Sequence, residues 1–278
     1  MKKTNDVGFS REKLNKRITE IDLLRGICVF LMVFDHFMFD LWGLMPELFL
    51  LFPEPNGFWA WAVNVANLYW IWGVRVAVRK VVVFCFLALT GISCSFSKSN
   101  FKRGVMLFSV ALLVTAGTFA VGKITGDMDT LISFGILHLI SLSILFVALI
   151  GVITQNKWVY FAISAIMITF GAFFLKEKPV SIYSGDFAEL FFKQTLGLVL
   201  LGPDSYSFFF YGGQVAFGVF LGKVLYPERK PLLFVKGYKN NFVTFTGRHS
   251  LIVYVAHQIV LPLLLSLILL MCGYKLAI

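Results

Sequence analysis

Charge is what this sequence has least of. Asp, Glu, Lys and Arg make up 14% of its 278 residues, the acidic side chains number only 15, and there are four histidines and four cysteines. So little charge beside 58% hydrophobic residues excludes an ordinary soluble domain, in which roughly a quarter of the residues are charged. Cys28, Cys85, Cys94 and Cys272 fall inside or at the edge of apolar stretches, with no C-x-x-C pair and no Cys/His zinc spacing, so they read as packing and no metal is expected. A Walker A loop, a G-x-G-x-x-G turn after a strand and a G-x-S-x-G elbow are also missing, which removes nucleotide hydrolysis, dinucleotide redox chemistry and α/β-hydrolase chemistry as first readings.

What is there is a succession of long apolar runs. Each is near the ~20 residues that a ~30 Å hydrocarbon core requires, and they fall at roughly 23–44, 81–97, 104–121, 130–153, 158–175, 208–226 and 250–272. The expected fold is an all-α integral membrane protein, a bundle of about seven transmembrane helices with the N-terminus inside and the C-terminus outside. Residues 1–16 read as a polar cytoplasmic leader and 17–278 as a single transmembrane domain. With that orientation 17 of the 25 Lys and Arg face the cytoplasm, as the positive-inside rule asks. The net charge of +10 is then mainly a topology signal, and no nucleic-acid partner is called for. Residues 45–80, with Pro46, Pro53, Pro55 and the rings of Trp59, Trp61, Tyr69, Trp70 and Trp72, read as an interfacial or re-entrant helix on the outer side. The segment 176–207 reads as a lid or interfacial helix.

The first span is unusual in carrying Asp22, Arg25, Asp35, His36 and Asp40. At about 100° per residue, Asp22, Arg25, Val29, Val33, His36 and Asp40 share one helix face. Intramembrane charge is costly and usually marks a substrate or proton path, which makes this a candidate reaction face; the plainer alternative is a local His36–Asp40 hydrogen bond with Asp22 and Arg25 at the interface. Asp40, one turn beyond His36, is expected to hold the imidazole in one tautomer. His138 in the fourth span and His257 in the seventh reach similar depths, and a convergent set of imidazoles suits proton transfer near neutral pH. Each alone is equally consistent with a helix–helix hydrogen bond. Arg248 and His249 stand at the cytoplasmic mouth of the last span, after a basic stretch that includes Lys236. Gly218 and Gly222 have the GxxxG spacing that lets helix backbones touch.

Three elements, R-x-x-E-x-D-x-L-R-G-x5-M-V-x-x-H from Arg17 to His36, F-G-I-L-H from Phe134 to His138, and G-R-H-S-L-x-x-Y-x-x-H-Q from Gly247 to Gln258, resemble the heparan-α-glucosaminide N-acetyltransferase catalytic-domain family. The first also resembles a wider group of membrane acyltransferases that acetylate cell-surface sugars. The resemblance implies transfer of an acetyl or other acyl group from cytoplasmic acetyl-CoA or another acyl-CoA to a sugar or glycan acceptor, in a multi-pass protein of the cell membrane of a prokaryote, with membrane lipids around it. His36, Asp40, Asp35, His138 and His257 are then the candidate catalytic groups. Asp22, Arg25, Lys236, Arg248 and His249 are the candidate donor-binding groups. One departure stands out: the heparan enzymes are similar to each other in having a histidine in the outer segment after the first span, and residues 37–80 contain none. That argues against an acyl-histidine there and against heparan as acceptor. A transporter or flippase would also place His and Asp within spans, but internal repeats or paired broken helices are not evident. A non-catalytic scaffold is the remaining class.

Overall fold

The computed structural model describes residues 18–49, 57–97, 99–125, 128, 131–174, 186–199, 204–232 and 241–276. The polar leader and Lys236 lie outside them. Eleven α-helices and one π-helical turn are described: α1 (Thr19–Phe39), the π turn (Asp40–Leu44), α2 (Met45–Phe49), α3 (Phe58–Ile71), α4 (Gly73–Phe96), α5 (Asn100–Thr125), α6 (Ile136–Ile153), α7 (Lys157–Phe174), α8 (Phe187–Leu196), α9 (Phe208–Leu225), α10 (Phe242–Arg248) and α11 (Ser250–Met271). Among the described residues there is no strand.

Seven stretches are long and apolar enough to cross a membrane, and each corresponds to one of the spans read from the sequence. Several boundaries move, chiefly those of the first two spans and the start of the fourth, which falls at Ile136. The first span continues without a break through the π turn and α2 to Phe49, and the second begins at Gly73, so that Arg75, Arg79 and Lys80 lie within its helix and not in a connecting segment. Between them, α3 is the helix described in the remainder of the segment 45–80. Phe58, Trp61 and Leu68 are exposed along it, as is Trp72 just after its end.

The contacts divide the chain into two compact units, residues 1–86 with 233–278, and residues 87–232. In the first, α1 is the central element and α3, α10 and α11 pack on it. His36 faces His257 and Met45 faces Ser266, a constant offset of 221 that makes α11 run parallel to the first span. An odd number of crossings requires that of a first and a last span. Where α2, α3 and α11 meet, Leu41, Met45, Phe49, Val63, Ala66, Leu265 and Leu269 form a dry core.

In the second unit, α9 lies against α6 and α7, and α5 against α6. Small residues set the distances. A Cβ on Gly91 would collide with the Val215 carbonyl, one on Gly218 with the Ala88 carbonyl, and one on Gly171 with the backbone of Phe210. Without a hydrophobic driving force between helices in lipid, such close backbone contact is a main source of association. Gly218 and Gly222 thus serve packing, against residues 88–95. The segment 176–207 contains α8, capped at its start by the Asp186 side chain and ended by Gly197 in the left-handed conformation.

Candidate active site

The first unit holds most of the expected site residues. At one end of α1, Gly26 and Gly247 let two backbones touch: a Cβ on Gly26 would meet the Val243 carbonyl, and one on Gly247 the Asp22 carbonyl. This contact brings Arg248 Nε to 3.2 Å from Asp22 Oδ2, with both side chains only 11% exposed. Asp22 and Arg248 therefore form one buried ion pair across 226 residues of sequence. Arg25 is half-buried one turn along α1, and His249 is exposed, its Nδ1 3.0 Å from the Phe245 carbonyl.

Farther along α1, His36 and His257 come together, their ring centroids 4.9 Å apart and their planes at 74°. Tyr254 packs edge-on against both rings. Each imidazole is held by its own helix, His36 Nδ1 at 2.8 Å from the Met32 carbonyl and His257 Nδ1 at 3.2 Å from the Val253 carbonyl. A carbonyl only accepts, so in each neutral ring Nδ1 carries the proton and Nε2 keeps its lone pair. His257 Nε2 is buried and has no hydrogen-bond partner among the described residues. Two basic nitrogens with their tautomers fixed in this way are equipped to take a proton from a hydroxyl or amine.

The carboxylates behave differently from expectation. Asp40 does not hydrogen-bond His36. The imidazole turns back to the carbonyl four residues earlier, and Asp40 opens the π turn, its backbone N–H donating to the His36 and Phe37 carbonyls. Its side chain is buried, and among the described residues it has no hydrogen-bond or ion-pair partner. π turns inside α-helices occur frequently at functional sites. Asp35 points to a different neighbour altogether. Arg75 donates from Nε to Oδ1 at 2.7 Å and from Nη2 to Oδ2 at 2.8 Å, and Tyr69 donates its hydroxyl to Oδ1 at 3.0 Å. The guanidinium also lies 3.6 Å from the Trp70 ring. Burial, with the Asp35 carboxylate beside it, raises the Tyr69 hydroxyl above its ordinary range. Arg75 is the residue that sequence reasoning missed. Its signal was a lone Arg in the apolar run V-R-V-A-V, which needs an acid to pair with.

His138 belongs to the second unit. It is 1% exposed, bonded through Nε2 to Thr115 Oγ1 at 3.2 Å, and surrounded by Phe108, Phe134 and Phe191. Because the Thr115 hydroxyl donates to the Ile132 carbonyl, its oxygen accepts from Nε2–H, which leaves the lone pair on a buried, partnerless Nδ1. The loop before it is clamped: Thr118 accepts from Ile132 N, Gln194 pairs with Ser133, and Asp204 caps the backbone N–H of Ile136 at 3.1 Å.

With these arrangements in view, comparison with known proteins is specific. Residues 17–259 match the family described as heparan-alpha-glucosaminide N-acetyltransferase, catalytic. The chain belongs to that family. Neither curated proteins nor solved structures gave a match. Membership in the heparan-alpha-glucosaminide N-acetyltransferase catalytic family makes the chain a transferase, and its seven apolar helices make it a multi-pass membrane one. In this member of the family the first and third sequence elements, 200 and more residues apart, are two sides of one joint: Asp22 meets Arg248, Gly26 meets the α10 backbone, and His36 meets His257.

Proposed function

We propose that the chain transfers an acetyl or other acyl group from cytoplasmic acyl-CoA to the hydroxyl or amine of a sugar or glycan at or across the membrane. The observation that carries this reading is the facing pair His36 and His257, each with Nδ1 tied to a helix carbonyl and Nε2 left as a base. Family membership supports acyl transfer, and the pair supplies the proton acceptor that such a transfer needs.

In the proposed step the acceptor oxygen or nitrogen forms a bond to the thioester carbonyl carbon as its proton passes to Nε2 of His36. The C–S bond then breaks, and the CoA thiolate recovers the proton from the imidazolium. His257 acts as the second imidazole, taking over or sharing that proton. Asp40, buried and partnerless, is assigned to the acceptor's polar groups. Asp35, fixed by Arg75, is assigned to keeping the α1 segment around His36 in place. Arg25, Arg248, His249 and Lys236 are assigned to the donor's phosphates, with Asp22 aligning Arg248, since guanidinium groups suit phosphate geometry. His138 is assigned a supporting proton-transfer role in its own unit. The lack of a histidine in residues 37–80 favours direct transfer over an acyl-histidine there, and an acceptor other than heparan. The orientation is N-in and C-out, in the cell membrane of a prokaryote.

Purified protein in lipid nanodiscs, given acetyl-CoA and a panel of amino sugars and hydroxyl-rich glycans, tests this. Free thiol should appear only when an acceptor is present, in equal amount with acylated sugar. Movement of an acceptor across a sealed vesicle with no thiol released would replace the enzyme by a transporter.

A further inference from the structure

The second unit contains a cavity of about 300 Å³ that the acyl-transfer reading does not use. It lies at one end of the bundle, where the short turns between α4 and α5 and between α6 and α7 meet the last turn of α9, and it is lined by Ser95, Ser97, Ser99, Asn100, Gln155 and Lys223 among others. A volume of that size is at the lower end of those that hold small molecules.

Its chemistry is one-sided. Among the described residues of the lining Lys223 is the only charged one, and none of them is a carboxylate. An ammonium group has three donors. Two of those of Lys223 go to Gln155, to the backbone oxygen at 3.2 Å and to Oε1 at 2.8 Å, and Nζ stands 5.4 Å from the Tyr160 ring. The third has no acceptor among the described residues. Ser97 Oγ accepts from the Ser99 backbone N–H, so its own proton is uncommitted, and the Ser99 hydroxyl makes no hydrogen bond among the described residues. Ser95 and Asn100, by contrast, are already bonded to the Ile92 and Cys94 carbonyls. The cavity thus offers one positive charge, with unused donors on Lys223, Ser97 and Ser99. Phe101, Val147 and Val152 give the lining an apolar part.

We propose that this cavity is a binding site for a phosphate ester, the phosphate held by Lys223, Ser97 and Ser99 and the carbon part of the ester set against the apolar part of the lining. A phosphate monoester carries several strong acceptor oxygens and negative charge, which matches three donors around an ammonium, whereas a cation or a neutral acceptor-poor ligand would leave Lys223 uncompensated. The same glycerol phosphate chemistry is found in a lipid headgroup and in a soluble ester. This site stands independently of the His36–His257 assignment, because none of its residues belongs to the first unit.

The test uses the full chain with two probes. Glycerol 3-phosphate is titrated against protein in neutral detergent by calorimetry, and retained lipid is read by native mass spectrometry after reconstitution in phosphatidylcholine nanodiscs with and without phosphatidic acid. Saturable binding of glycerol 3-phosphate identifies a soluble ester; selective retention of phosphatidic acid without it identifies a lipid headgroup. In either case Lys223→Gln should weaken binding about tenfold or more, the loss expected of one charge-assisted hydrogen bond, while Lys223→Arg retains most of it. Ser99→Glu, at an exposed position, keeps the test valid should Lys223→Gln fold poorly, since the added carboxylate repels phosphate or occupies Lys223 and should also abolish binding. Failure of both probes to bind, or binding equal in wild type and Ser99→Glu, overturns the proposal.

Discussion

Asp35 and Arg75 form a two-pronged ion pair between the first and second spans, closed by the Tyr69 hydroxyl and roofed by the Trp70 ring. Arg75 is 6% exposed, so its charge depends on that carboxylate. Removing one partner of a buried pair typically costs about 3–5 kcal/mol, whereas replacing both by apolar groups is often neutral. Asp35→Leu should therefore lower the melting temperature sharply in a thermal-shift assay, and Asp35→Leu with Arg75→Leu should recover most of the loss. Equal damage from the single and the double variant would mean that the unpaired Arg75 charge is not the source of the loss.

The glycines at the α1–α10 joint carry a second prediction. A methyl group at Gly26 or Gly247 meets backbone, not a side chain that can turn away. Overpacking of this kind costs about 1–3 kcal/mol, and separating the helices also pulls Arg248 from Asp22. Gly26→Ala and Gly247→Ala should each destabilise the protein, and combining either with Asp22→Asn should add less than the sum of the two, because the same contact is lost twice. Full additivity would place the ion pair outside the joint.

Which parts of this were legible beforehand follows from the range of the forces involved. Helix existence and depth depend on runs of neighbouring residues, so all seven spans were readable, as was the similar depth of His36 and His257. Partner choice is a tertiary matter. Asp22 and Arg248 are 226 positions apart, and no periodicity connects them. Asp35, one of the candidate catalytic groups, lies off the face of His36, and its partner Arg75 is supplied by a different helix. Asp40 failed as the orienting group for a local reason: a histidine on a helix has a carbonyl one turn back within reach of Nδ1, and His36, His249 and His257 all use it.

Arg248 was expected to hold donor phosphates, and its bond to Asp22 makes a sharper expectation. Arg248→Gln should reduce both thermal stability and acyl-CoA affinity, while neutralising Lys236 should reduce affinity and its salt sensitivity alone, since salt screens charge over about 8–10 Å. Loss of affinity without any loss of stability in Arg248→Gln would show that Asp22 does not depend on it.

The parallel course of α1 and α11 predicts opposite sides for the segment before Thr19 and the segment after Met271. Combined with the distribution of Lys and Arg, a reporter fused after Ile278 should be outside and one placed within residues 227–241 inside. Both reporters on one side would mean that one span has been miscounted.

The central claim is that the facing imidazoles are the base, and single-turnover transfer from radiolabelled acetyl-CoA in nanodiscs tests it most directly. General-base catalysis contributes typically about 10²–10⁴-fold, so His36→Gln should remain folded, bind acyl-CoA as the wild type does and transfer at least a hundred times more slowly, with His257→Gln also impaired. A His36→Gln protein that transfers at near the wild-type rate, while His138→Gln does not, would contradict the account and move the chemistry to the second unit.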